Sequence, residues 1–245
     1  MLNTQTLEIV LLSLKVALVA IVLSLPLAIS IAWVLARKEF FGKTLFDALV
    51  HLPLVLPPVV IGFVLLALLG RRGWIGAYLY DWFGITLAFR WTGAALAAAV
   101  MAFPLMVRAI RLSFEGIDRR VELAARTLGA SPLDLFFSIS LPLAWPGIAA
   151  GATIAFARCL GEFGATITFV SNIPGQTQTL PLAIYTYTQT PGGDASAWVL
   201  CAIAVTLSVA ALTLSEWLTR KHQRLIRPLR ATCRSSYKWR AESSI

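Results

Sequence analysis

The run VALVAIVLSLPLAISIAWVLA, residues 16–36, carries no Asp, Glu, Lys or Arg. It is long enough to cross the hydrocarbon layer as a helix, which takes roughly 20 apolar residues. This reading decides the class of fold, because charge-free runs of comparable length recur at 48–70, 135–157 and 195–215. A shorter run at 91–107 reaches spanning length when Arg108 or Arg111 snorkels at its end. The chain of 245 residues is 58% hydrophobic and 13% charged, with a mean hydropathy of +0.77, which places it in a bilayer. The predicted fold is all-α: a polytopic membrane protein with five transmembrane helices. The first run is too long for the apolar core of a cleaved signal peptide and no small-residue cleavage site follows it, so it is expected to stay in the mature protein.

A net charge of +9 would fit a nucleic-acid partner if the basic residues were clustered at random. They are not. Of 21 Lys and Arg, sixteen fall in one set of alternate connections: Arg37, Lys38 and Lys43; Arg108, Arg111, Arg119, Arg120 and Arg126; and the C-terminal stretch from Arg220. Lys15, Arg71, Arg72, Arg90 and Arg158 lie on the other side. Basic loops stay in the cytoplasm, so the N-terminus is expected outside and the C-terminus inside, and no nucleic-acid partner is expected. The chain divides into a membrane domain, 1–220, and a basic cytoplasmic tail, 221–245, which lacks periodicity and is expected to be unstructured and to meet anionic lipid. Cys159, Cys201 and Cys233 show no paired or metal-ligand spacing, and no disulfide is expected.

The second span is interrupted by Pro53, Pro57 and Pro58, each of which removes a backbone donor and crowds the preceding turn. Such a break serves either as a kink for packing or as the lining of a solute path. Residues 71–90 mix Gly73, Gly76 and Gly84 with Trp74, Tyr78, Tyr80 and Trp82, which suits a loop lying in the interface. The third span holds Gly93-Ala94-Ala95 and Ala97-Ala98-Ala99, small residues that allow close helix approach. Residues 163–193 carry no charge, yet Asn172, Pro174, Gly175, Pro181 and Pro191 break them up. A crossing there would also force the basic tail outside, so a re-entrant or cavity-lining segment is expected.

Between the third and fourth spans, Val121, Ala124, Ala125 and Leu128 repeat with helical period. Glu122 can pair with Arg126 one turn on, and Gly129 is placed to end the helix in a left-handed cap. Ser131 and Pro132 then start a second short helix as N-cap and first residue, with Asp134 near its positive end. Leu133, Phe136, Phe137 and Ser140 form its stripe, and Pro142 and Pro146 mark entry into the next span. A loop of two short helices with uncovered apolar faces either expects a partner or lies on the bilayer.

Ala124-Ala125, Gly129 and the run Ile139-Ser140-Leu141-Pro142 resemble the Glu-Ala-Ala loop of ABC-importer permeases of type I. That resemblance implies that 117–142 is a coupling element seated on a separate ATPase, with Glu122, Leu123, Ala124, Ala125, Gly129, Ile139, Leu141 and Pro142 as its coupling residues. Leu123 stands where the family has its acidic residue. Within this family, LPLVLPP at 52–58 and FARCLGEFGAT at 156–166 resemble molybdate permeases, and the similarity covers about residues 10–218.

The resemblance implies a multi-pass subunit of the bacterial inner membrane that works as a homodimer with two ATPase subunits and an external oxyanion-binding protein. No Gly-x-x-x-x-Gly-Lys-Ser/Thr occurs, so the chain is expected to be non-catalytic and free of cofactors, with ATP and Mg on the partner ATPase. Candidate path residues are Pro57, Pro58, Arg158, Glu162, Thr166, Thr168 and Ser171. Arg158 and Glu162, four apart, form either a local ion pair or a site at which Arg158 attracts a dianion. The hydroxyls that follow would pass an oxyanion without holding it, so no high-affinity site is expected in the permease. His51 reads as a packed residue, and no metal site or carboxylate pair at catalytic spacing is present. A permease for sulfate, thiosulfate or tungstate is the nearest alternative. A membrane-embedded enzyme and a secondary transporter are the alternatives of other classes.

Overall fold

The computed structural model describes residues 4–213 and Trp217, so the tail expected at 221–245 lies outside the described residues. Every regular element among the described residues is helical. They are α1 Thr4–Arg37, α2 Lys43–Val55, α3 Pro58–Leu69, α4 Gly76–Phe83, α5 Trp91–Glu115, α6 Arg119–Thr127, α7 Pro132–Leu135, the π-helical turn Phe136–Ser140, α8 Leu141–Leu160, α9 Gly164–Val170, α10 Leu180–Thr188 and α11 Asp194–Thr213. Four continuous helices are long and apolar enough to cross a membrane, and the bent pair α2 and α3 meets the same length and composition only when taken together, for up to five spans.

α1 begins well before the charge-free run because Lys15 does not end it: the Lys15 ammonium sits 3.8 Å from the centroid of the Trp91 ring. At 34 residues the helix is about 50 Å long at 1.5 Å per residue, more than a bilayer core requires. The second span is broken, as its prolines predict. The chain bends by 111° between α2 and α3. Leu56 and Pro57 are both extended (ψ 143° and 135°), since a residue before proline is pushed out of the helical region and two prolines follow in succession. Pro53, by contrast, is accommodated inside α2.

α5 is the centre of the bundle. Its Gly93, Ala94, Ala95, Ala97 and Ala98 are buried, and α1 and α8 both lie along it. A second small-residue pair, Gly147 and Gly151 on α8, makes the approach to α5 close: a Cβ at Gly151 would lie 3.1 Å from the Met106 carbonyl, and one at Gly147 would run into Ser113. The sequence expects α5 to end near Val107 with an arginine reaching for water. It continues to Glu115 instead, because Arg111 is paired within the protein, 3.0 Å from Asp47 of α2 and 2.7 Å from Glu115.

Two contacts fix the depth of the later elements. Cys159, near the end of α8, donates to the Ala98 carbonyl at 3.5 Å, while a Cβ on Gly93 would meet Val170 of α9. The two contacts lie five residues apart on α5, about 7.5 Å along its axis at 1.5 Å per residue. Residues 163–193 form α9, a loop and α10, and neither helix is long enough to span. Both are tucked against the bundle: Ala165, Thr166, Phe169, Val170, Leu180, Leu182 and Ala183 are buried. Ser13 of α1 clips the second helix in place, accepting from the Leu180 N–H at 2.7 Å and donating to the Ile9 carbonyl at 2.8 Å. α11 lies at the periphery, largely uncovered.

Candidate functional site

The loop 117–142 is built from strong local signals. Asp118 caps α6 by accepting from the Arg120 N–H at 2.9 Å. Gly129, at φ 89°, closes the helix: its N–H donates to the Arg126 carbonyl at 3.0 Å and the Ala130 N–H to the Ala125 carbonyl at 3.1 Å, the paired bonds of a Schellman cap. Ser131 caps α7, accepting from the Asp134 N–H at 3.2 Å, and Pro132 is its first residue. The second short helix is not separate from the fourth span, however. α7, the π-helical turn and α8 form one continuous helical segment, 29 residues long. A push on α7 is thus a push on α8.

The π turn also splits the second stripe. One extra residue per turn rotates the side chains that follow it. Phe136 turns inward, edge-on to Trp33 of α1 at 5.4 Å and stacked with Phe114 of α5 at 6.4 Å, and Ser140 is fully buried. Leu133 and Phe137 stay outside, 70% and 61% exposed. Val121, Leu123 and Leu128 are exposed as well and add to the uncovered apolar surface of the loop, as are Ala124, Gly129 and Pro142, while Ala125, Ile139 and Leu141 are half-buried.

Glu122 does not belong to that surface. The predicted pair with Arg126 is replaced by one with Arg37, the last residue of α1, at 2.8 Å. Both side chains are close to buried, at 9% and 12% exposure, and Ser140 donates to the same Glu122 oxygen at 3.2 Å. Nothing in local periodicity marks Arg37, because its partner is far away in the chain.

Of the candidate path residues, Pro58, Glu162 with its partner Arg158, and Thr166 lie around the start of α9. Glu162 is buried, with its side chain 2% exposed; one oxygen lies 2.6 Å from Arg158 and the other accepts from the Ala165 N–H at 2.9 Å. The pair sits at the end of the fourth span, as the sequence predicts: Arg158 is in the last turn of α8 and Glu162 lies just past its cap. Pro58 opens α3 directly against Gly164, and Thr166 is buried nearby. Pro57 is exposed at the bend. Thr168 donates to the Gly164 carbonyl at 2.9 Å, so its hydroxyl proton is already used within its own helix. Ser171 stands at the far end of α9 with φ 63°, and its carbonyl accepts from Thr177 at 3.2 Å. His51 is bonded locally, with Nδ1 2.9 Å from the Asp47 carbonyl. Among the described residues no group of three or more His, Cys, Asp or Glu is placed to hold a metal ion.

This geometry has parallels in known proteins. Residues 14–224 match the family described as "Binding-protein-dependent transport system inner membrane component". The chain is 63% identical over 211 residues to the molybdenum transport system permease protein ModB of Escherichia coli (strain K12), covering 86% of this chain and 92% of that protein. It is 59% identical over 213 residues to the protein of the same name from Haemophilus influenzae, covering 87% and 93%. A crystal structure of a bacterial ABC transporter importing the acidic polysaccharide alginate has a similar fold, with a TM-score of 0.72 over 89% of this chain and 80% of that chain at 15% identity.

Proposed function

This chain belongs to the family of binding-protein-dependent inner membrane transport components, and from that premise we infer that it is the membrane-spanning permease subunit of an ATP-driven importer of molybdate. The observation that carries the substrate is the 63% identity over 211 residues, 86% of this chain, to the Escherichia coli molybdenum permease. The loop supports an external source of energy. It presents Val121, Leu123, Leu128, Leu133 and Phe137 to solvent, apolar surface that a cytoplasmic ATPase would cover.

In this reading two copies of the chain enclose the path. One chain supplies five spans and a single loop, so a symmetric pair gives both a closed path and two docking points for a pair of ATPases. An external binding protein delivers the oxyanion, and the sixteen-to-five distribution of basic residues sets the loop in the cytoplasm and the N-terminus outside. ATP and Mg belong to the ATPase. Closure of that pair displaces the loop; α7 and α8 move as one piece, and the path changes the side to which it opens.

Arg158, Glu162, Thr166, Thr168, Ser171, Pro57 and Pro58 are the proposed lining. A tetrahedral dianion passing Arg158 meets a cation already neutralised by Glu162, which favours passage over retention. Uptake of labelled molybdate, with sulfate, thiosulfate and tungstate as competitors, in a strain deleted for this chain and complemented by it, tests the assignment. Restored molybdate uptake supports it; restored sulfate uptake without molybdate uptake overturns it.

A further inference from the structure

α6 is tied to the bundle at one polar point. Glu122 is the only residue of this helix that is buried, and the main packing partner of α6 is the short α7 beside it. The Glu122 carboxylate faces inward, where it gathers three elements. Arg37 Nη2, at the end of α1, lies 2.8 Å from Glu122 Oε1 and donates to the Ile117 carbonyl at 3.3 Å, where the loop leaves α5. Ser140, the last residue of the π turn, donates to the same oxygen at 3.2 Å. The π turn is what brings Ser140 round to this side, and Phe136 locks the turn between Trp33 and Phe114.

We propose that Glu122, through Arg37 and Ser140, is a positioning residue that couples the displacement of α6 to α1, so that α1 is driven together with α8 rather than following it passively. This rests on the reading of 117–142 as the loop that an ATPase moves. The chain connects α6 directly only to α5 and α7; α1 meets the α7–α8 segment through apolar packing, Trp33 against Phe136 among it, and the carboxylate adds a direct polar link from α1 to α6 itself. A buried pair of opposite charges suits such a link, because separating the two charges in a low-dielectric site is unfavourable and the pair moves as a unit. The pair also explains how the loop does without an acidic residue at Leu123: its nearest carboxylate, Glu122, is engaged inside the permease, and the exposed Leu123 is left to the docking face.

The test is transport coupled to hydrolysis in proteoliposomes containing the whole importer, reading molybdate taken up per ATP hydrolysed. Glu122→Gln keeps the shape and an oxygen for Ser140 but removes the charge; the ratio is expected to fall about tenfold, within the usual range of coupling between sites. Because Glu122→Gln leaves Arg37 unpaired, the double variant Arg37→Gln with Glu122→Gln is measured beside it, and the same fall is expected with no buried charge left over. Ser140→Ala is expected to lower the ratio less. An unchanged ratio in both Gln variants overturns the proposal. So does a proportional loss of uptake and hydrolysis, which would mean that Glu122 only holds the fold. Wild-type proteoliposomes without ATP-dependent uptake would defeat the importer reading itself, before any variant is compared.

Discussion

The guanidinium of Arg158 lies 2.6 Å from the buried carboxylate of Glu162, one turn further along the chain and just beyond the end of α8. The second oxygen of Glu162 caps α9 through the Ala165 N–H. One side chain therefore balances the cation and fixes the helix beyond it.

Removing the cation alone should be the more damaging change. Arg158→Met strands a carboxylate that is 2% exposed, at a cost on the order of 3–5 kcal/mol, whereas Glu162→Gln still accepts from Ala165 and leaves an arginine 29% exposed that can turn to water. Permease recovered from membranes, followed by fluorescence-detected size exclusion, should fall sharply for Arg158→Met and recover in Arg158→Met with Glu162→Gln. Molybdate uptake should stay low in that double variant if Arg158 attracts the anion.

The neutralised site should bind weakly. Equilibrium dialysis of molybdate against the purified permease is expected to show no saturation in the micromolar range, since Arg158 is already paired and the hydroxyl of Thr168 is bonded within its helix. Micromolar saturation that is lost in Arg158→Met would show instead that the permease holds its substrate.

Gly62 allows α3 to rest on α9. A Cβ there would come within 2.6 Å of the Ala165 carbonyl and 2.8 Å of the Thr168 Cβ. Overpacking of this kind costs about 1–3 kcal/mol, so Gly62→Val should lower the thermal midpoint in detergent by several degrees and reduce uptake. A midpoint equal to wild type would mean that the two helices are free to part.

Gly129 closes α6 at φ 89°, which proline cannot adopt, and its N–H holds the Arg126 carbonyl. Gly129→Pro should leave the chain in the membrane at normal abundance while stimulation of the ATPase falls. Wild-type transport by this variant would separate the cap from coupling.

Helix positions and loop chemistry were legible because their causes are local. Ser131 with Pro132, Gly129 with its left-handed φ and the alanine stripe of α5 each declare their role within a few residues. The sharp turn at Pro57 and Pro58 was marked by the prolines, but its angle was not, since 111° depends on α2 reaching Asp47 toward Arg111 and on α3 resting against α9. The close approach of Gly147 and Gly151 on α8 to α5 was not read from the sequence, because its partner residues are far away in the chain.

Charge-free runs and the placement of Lys and Arg determined that this protein lives in a bilayer as a bundle of spans, because the cost of burying charge in hydrocarbon is paid residue by residue. The partners of the buried charges were decided only by the tertiary structure. Glu122 could have met Arg126 one turn away, and meets Arg37 at 2.8 Å because folding brings the end of α1 beneath the loop and the π turn sets Ser140 beside the same carboxylate oxygen.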